Sequence, residues 1–397
     1  MQIEEVRHYR IGFHHLGFRP FFLLAGVFAI FAVSIWLWVL SFQGNFAQGY
    51  RLGFTQWHAH EMLFGYGMAV IAGFLLTAER NWTGVQTLNG APLLLLAAVW
   101  LVARIMPFVP HSQSLLVMAV IDVMFDGLLC IVLLYPLIKV RQWQHLGIWA
   151  MVLLLLLANL MFYLGLFRQL GGGMRMGLYM ALYVIVFLIT LMGRRVIPFF
   201  IEKGVDYPVS LRNYAWLDIS SVVLMAVFVV LDVFVAIPEY AAISAVGLAL
   251  LHAWRLLGWH TKGIWKKSLL WSLYLGYAWL VAGFALKALT YWSMINPMLA
   301  IHAFTYGGVG MITLSMMARV ALGHTGRDVF HPPKVLALLF LILLAGAVTR
   351  VVLPLLTTGS YAMWVMVSQW LWITAFSGFV LLYAPMLVKG RVDGKYG

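Results

Sequence analysis

LGIWAMVLLLLLANLMFYLGLF, residues 146–167, is 22 residues long and carries no charge. At a rise of 1.5 Å per residue a helix of this length reaches about 33 Å, the thickness of a bilayer's hydrocarbon core. Similar runs lie on its N-terminal side at 20–40, 57–78, 91–108 and 114–137, and on its C-terminal side at 174–192, 215–236, 239–257, 269–290, 298–321, 335–357 and 361–388. In lipid every backbone N–H and C=O must be satisfied within its own segment, so these twelve runs predict an all-α polytopic membrane protein. Composition agrees: 63% of residues are hydrophobic and 10% charged, whereas soluble domains carry about 25% charged residues.

The basic residues between the runs set an orientation. Twenty fall on one side and five on the other, the five being Arg51, Arg104, Arg168, Arg175 and Arg350. The positive-inside rule then places both termini in the cytoplasm. The net charge of +13 is a product of this topology, spread over short loops, and does not point to nucleic acid. Residues 1–19 have no apolar core followed by a cleavage site, so no removable signal peptide is expected. The hydrophilic stretch 193–214 reads as a cytoplasmic connector between two six-helix halves of a single transmembrane domain, 1–397. The recurrence of His-Ala at 58, 252 and 302 is too short to establish a repeat.

Cys130 is the one cysteine, which excludes disulfides, thiolate clusters and c-type haem attachment. Any metal must use His, Met or oxygen ligands. Of twelve histidines, His8, His111, His145, His260 and His331 fall in loops or tails and read as solvated. The other seven sort by depth into an outer group, His58, His60 and His302, and an inner group, His14, His15, His252 and His324. His302 and His324 are 22 residues apart on one helix, about 33 Å, and cannot share a centre. His58 and His60 point about 200° apart, so they serve different centres or one is structural. Converging imidazoles suit haem iron and copper, although interhelical hydrogen bonding is as good a reading for any one histidine alone. Glu61 and Tyr306 are candidates for ligand pairing or proton relay. Asp122, Asp126, Asp232, Lys287, Arg104 and Arg350 read equally as proton-path members or as salt-bridge partners. Glycines at 65, 67 and 73 and at 307, 308 and 310 suit close helix approach and are compatible with a flat macrocycle.

Five stretches carry a family resemblance: HHLGFRPFFLLAG (14–26), WHAHEMLFGYGMAVIAGFLLTAERNWTG (57–84), GRRVIPFF (193–200), IHAFTYGGVG (301–310) and MMARVALGHTGR (316–327). Together they resemble the NnrS family of bacterial membrane proteins. The resemblance implies a multi-pass protein of the bacterial cytoplasmic membrane containing haem b, one or two, and copper, acting in denitrification or nitrosative-stress resistance. Its recurrent histidines fall on the seven sorted by depth, with the inner four expected to bind the haem cofactor and His58, His60 and His302 to bind metal. The function expected is a metal-dependent oxidoreductase that reduces nitric oxide, with Glu61 and Tyr306 as catalytic groups and electrons from a small cytochrome or quinol. The alternatives are a nitric oxide sensor or scavenger without turnover and, behind it, a secondary transporter.

Overall fold

The computed structural model describes residues 10–42, 52–292 and 295–397; Arg7, His8 and Arg51 lie outside them. Among the described residues twelve helices are long and apolar enough to cross a membrane: α1 Phe18–Phe42, α2 Phe54–Thr83, α3 Gly90–Phe108, α4 Ser114–Val140, α5 Trp143–Leu166, α6 Gly173–Gly204, α7 Ala215–Val235, α8 Pro238–Gly258, α9 Ser268–Trp292, α10 Pro297–His324, α11 Val335–Leu356 and α12 Tyr361–Val388. No strand occurs among the described residues, the nearest approach being an isolated bridge between Ile11 and Lys389. The chain is therefore the all-α polytopic membrane protein that its apolar runs predict.

Local chemistry fixes the helix ends. Asn296 caps α10 by accepting from the Met298 amide, with Pro297 in the first turn. Gly84, at φ 70°, ends α2 in the left-handed conformation that costs a residue without Cβ little. The largest departure from the sequence reading is α6, which continues through Arg194 and Arg195 to Gly204 and leaves only 205–214 as extended chain. Charge ends an apolar run without ending a helix: Ile197 and Ile201 stay buried, and Arg194 is bonded to Asp218 at 2.6 Å.

The chain divides into two compact units, and these are not consecutive halves. Unit 1 holds the residues up to Ala181 with Met317–Val329 and Phe376–Gly397; unit 2 holds Leu182–Met316 and Phe330–Ala375. Within unit 1, α1 packs along α2, and α4 lies between α3 and α5, around a core that includes Phe18, Phe21, Phe22 and Phe125. Within unit 2, α8 packs on α7 and α9, and α9 lies along the first half of α10.

Four spans contain a π-helical turn, at Glu61–Gly67, Val230–Val235, Ala303–Gly310 and Val348–Val352. Such turns hold one residue too many for the α ladder and often mark functional positions. Here they carry Glu61, Asp232, Tyr306 and Arg350 in turn.

Candidate functional site

The first π turn builds a polar network inside unit 1. His60, Glu61, Arg104, Asp122 and Asp126 come from α2, α3 and α4 and are at most 2% exposed. Arg104 donates to Glu61 Oε2 at 2.8 Å and to Asp122 Oδ1. Asn159 of α5 directs its amide nitrogen at Asp122, 3.1 Å, and Asp126, 2.8 Å, while the Tyr163 hydroxyl donates to Asp122 at 2.9 Å. The Asn159 oxygen is left facing His60 Nε2 at 3.0 Å, so that nitrogen carries hydrogen. His60 Nδ1 meets Glu61 Oε1 at 3.2 Å, so an oxygen faces each ring nitrogen. Three carboxyl groups thus face one guanidinium in an apolar setting, where charge is costly unless it is paired. Asp122 and Asp126 were legible as buried acids in the sequence. Asn159 and Tyr163, which organise them, were not, because a lone amide or phenol in an apolar run has no distinguishing pattern.

The histidine pair in α2 separates as its spacing requires. His60 lies between Phe64 and Phe162, with ring centres 4.9 and 4.4 Å away, whereas His58 stacks on Trp36 at 4.7 Å. His302 belongs to unit 2. Its Nδ1 donates to the Met298 carbonyl at 2.7 Å, and its Nε2 accepts from Arg350 at 3.2 Å. Both ring nitrogens of His60 and of His302 are thus engaged. Among the described residues no group of three or more His, Cys, Asp or Glu is placed to hold a metal ion. This arrangement does not fit copper at His58, His60 and His302.

Tyr306 is also committed, its hydroxyl donating to the Ser368 carbonyl at 2.7 Å with its ring edge on Trp372. His252 bonds Tyr277 at 2.7 Å and stacks on Phe284, next to Arg255, which pairs with Asp218 at 3.0 Å. Asp232 is paired with Lys287 at 2.7 Å and accepts from Tyr183. The salt-bridge reading therefore holds for that pair.

The rest of the inner group gathers where the N-terminal segment, the C-terminal end of α10 and residues 389–397 meet in unit 1. His14 and His15 lie edge to face at 5.0 Å, His15 stacks on Tyr396 at 4.3 Å, and Phe18 lies 5.6 Å from the His324 ring. Burial first, then the charge of His14 and Arg19, lowers the His15 pKa and favours the neutral ring that a metal ligand must be. The ring nitrogens of His14 and His324 make no hydrogen bond among the described residues. Three cations close by pair with no Asp or Glu side chain among the described residues. Arg19 donates to main-chain oxygens, including those of Lys389 and Gly397, Arg80 lies over the Tyr396 ring, and Arg327 has a buried Nη1 with no acceptor. Open imidazoles beside guanidiniums that no Asp or Glu side chain pairs with fit an iron macrocycle with acidic side chains. The glycines of α2 and α10 do not make its cradle: Phe22 fills the space at Gly73, Trp279 that at Gly307 and Trp372 that at Gly310.

Fold and site together define a polytopic helical membrane protein that keeps a buried network of carboxyl, guanidinium and imidazole groups inside one unit and open histidines among cations at one end of that unit. The family can also be stated. Residues 12–391 match the profile described as NnrS protein, and the chain belongs to the NnrS family. Membership links it to nitric-oxide-related function and to a family associated with metal and haem binding. No curated protein matches the chain.

Proposed function

We propose that the protein is an oxidoreductase that binds nitric oxide and reduces it to nitrous oxide. The observation that carries this reading is the set of open ring nitrogens on His14 and His324 beside Arg19, Arg80 and Arg327. His14, His15 and His324 hold the haem and the guanidiniums receive its carboxylates. When bound, that group supplies an iron on which nitric oxide binds and through which electrons pass.

Joining two nitric oxide molecules to give nitrous oxide and water takes two electrons and two protons. The electrons come from an external small cytochrome or quinol. The protons come from the network of His60, Glu61, Asp122 and Asp126, which stores them beside Arg104 and away from water. Asn159 and Tyr163 fix the acids in place. No step is assigned to copper or to Tyr306.

The test is an optical spectrum, metal content and nitrous oxide yield for the purified protein, reduced and exposed to nitric oxide. Haem bands should shift with nitric oxide, nitrous oxide should form, and both should be lost in His14→Ala and His324→Ala. His60→Ala and His302→Ala should keep the bands, with His60→Ala slower in turnover. Nitric oxide binding without nitrous oxide would make the protein a sensor or scavenger. Well-folded protein containing no haem would remove the redox reading altogether.

A further inference from the structure

The helix that carries His302 repeats the construction of the one that carries His60. In α2, His60 precedes the π turn, which ends in Gly65-Tyr66-Gly67, and the α-helix resumes at Met68. In α10, His302 precedes a π turn that is one residue longer and ends in Gly308-Val309-Gly310, and the α-helix resumes at Met311. An arginine from near the end of the following span joins each arrangement, Arg104 from α3 through Glu61 and Arg350 from α11 directly on His302. In unit 1 the carboxylate of Glu61, next after His60, sits between histidine and arginine. In unit 2 the residue next after His302 is Ala303, fully buried with Leu299 and Val351 in a cluster against which Tyr361 packs.

Without that carboxylate Arg350 closes directly on His302. Arg350 is 7% exposed, lies over the Tyr361 ring with its centroid 5.5 Å away, and gives its hydrogen bonds to two neutral groups, His302 Nε2 and the Tyr361 hydroxyl, each at 3.2 Å. A guanidinium has five N–H donors, so three have no acceptor among the described residues, and no carboxylate there pairs with it. A buried cation in a membrane span is retained at high cost unless something negative meets it. His302 and Tyr361 are half-buried, so the group is not sealed from outside.

We propose that Arg350 and Tyr361, beside His302, form a binding site for a small monovalent oxyanion with the geometry of a carboxylate. The Glu61 side chain of unit 1 is the internal template: a free ion presenting two oxygens to the N–H donors that His302 and Tyr361 leave unused supplies the negative charge that Ala303 does not. The site is independent of the haem reading, since none of its residues belongs to the His14 and His324 group.

Isothermal titration of the purified full chain with sodium formate and with sodium nitrite, in chloride-free buffer, tests it. Saturable binding is expected, weakened about tenfold or more in Arg350→Gln, which keeps the side chain's bulk but removes its charge. Ala303→Glu should restore the template carboxylate and abolish binding while giving a monodisperse protein. If that variant fails to fold, Arg350→Gln and Tyr361→Phe decide. Absence of binding by well-folded wild type, or unchanged binding in Arg350→Gln, overturns the site. A haem content that falls in Arg350→Gln, without formate binding by wild type, would assign the arginine to a cofactor carboxylate instead.

Discussion

Arg104 stands where Coulomb attraction and desolvation are both at their largest, between Glu61 and Asp122 in a dry span. Removing one partner from such a group leaves bare charge behind. Arg104→Gln is expected to destabilise unit 1 by about 3 to 5 kcal/mol, read as a lower unfolding midpoint in detergent. Asp126→Asn should cost under about 1 kcal/mol, because Asp126 accepts one hydrogen bond from Asn159 that an amide oxygen also accepts. Equal losses in the two variants would mean that the network is not organised by Arg104. At the surface the sign is set by Asp393, whose carboxyl is held well below its ordinary 3.8 mainly by the hydrogen bonds from Arg391. The unfolded chain takes up this proton first as the pH falls. The pair therefore adds stability above pH 3.8, and the contribution fades below it. Since Asp393 is exposed the effect is small and screened by salt. Asp393→Asn should flatten the acid limb of the unfolding midpoint against pH and change little at neutral pH.

Elements explain how such groups are held in register. The α5 and α6 backbones come into direct contact: a Cβ on Gly177 would stand 2.7 Å from the Phe162 amide, and one on Gly173 would stand 2.6 Å from the Met161 carbonyl. That contact fixes the turn of α5 bearing Asn159 and Tyr163. Gly177→Val is expected to push the helices apart, cost about 1 to 3 kcal/mol by overpacking and impair turnover through the displaced network, with haem content unchanged. Wild-type turnover in a destabilised Gly177→Val protein would uncouple the helix contact from the network. The same scale shows what the sequence could convey. Twelve spans were legible because a spanning helix needs only length and apolarity. The π turns were not, since nothing in EMLFGYG or AFTYGGVG departs from an apolar helix, and the one-residue difference between them hides the kinship of α2 and α10 from a simple comparison. Histidine depth was legible too, but whether a ring nitrogen is open is decided by partners such as Asn159 and Arg350, which lie far away in the chain.

For the whole molecule, the distribution of lysine and arginine remains the argument for orientation, and the structure supplies residues with which to test it. Cys130 is the only cysteine and is buried in α4, so a Cys130→Ala background accepts single surface thiols without interference. His111 lies exposed between α3 and α4, Lys266 between α8 and α9, and Lys395 beyond α12. With both termini cytoplasmic, a membrane-impermeant thiol reagent applied to intact cells should label His111→Cys and spare Lys266→Cys and Lys395→Cys until the membrane is opened. Labelling of Lys266→Cys and Lys395→Cys alone would invert the protein; labelling of all three in intact cells would break the twelve-span count. Orientation also decides where each site draws its ligands. Arg350 lies near the C-terminal end of α11, the end facing outward in this arrangement, so the small oxyanion enters from outside while the open histidines face the cytoplasm. An inverted labelling pattern would exchange those two compartments without altering either site.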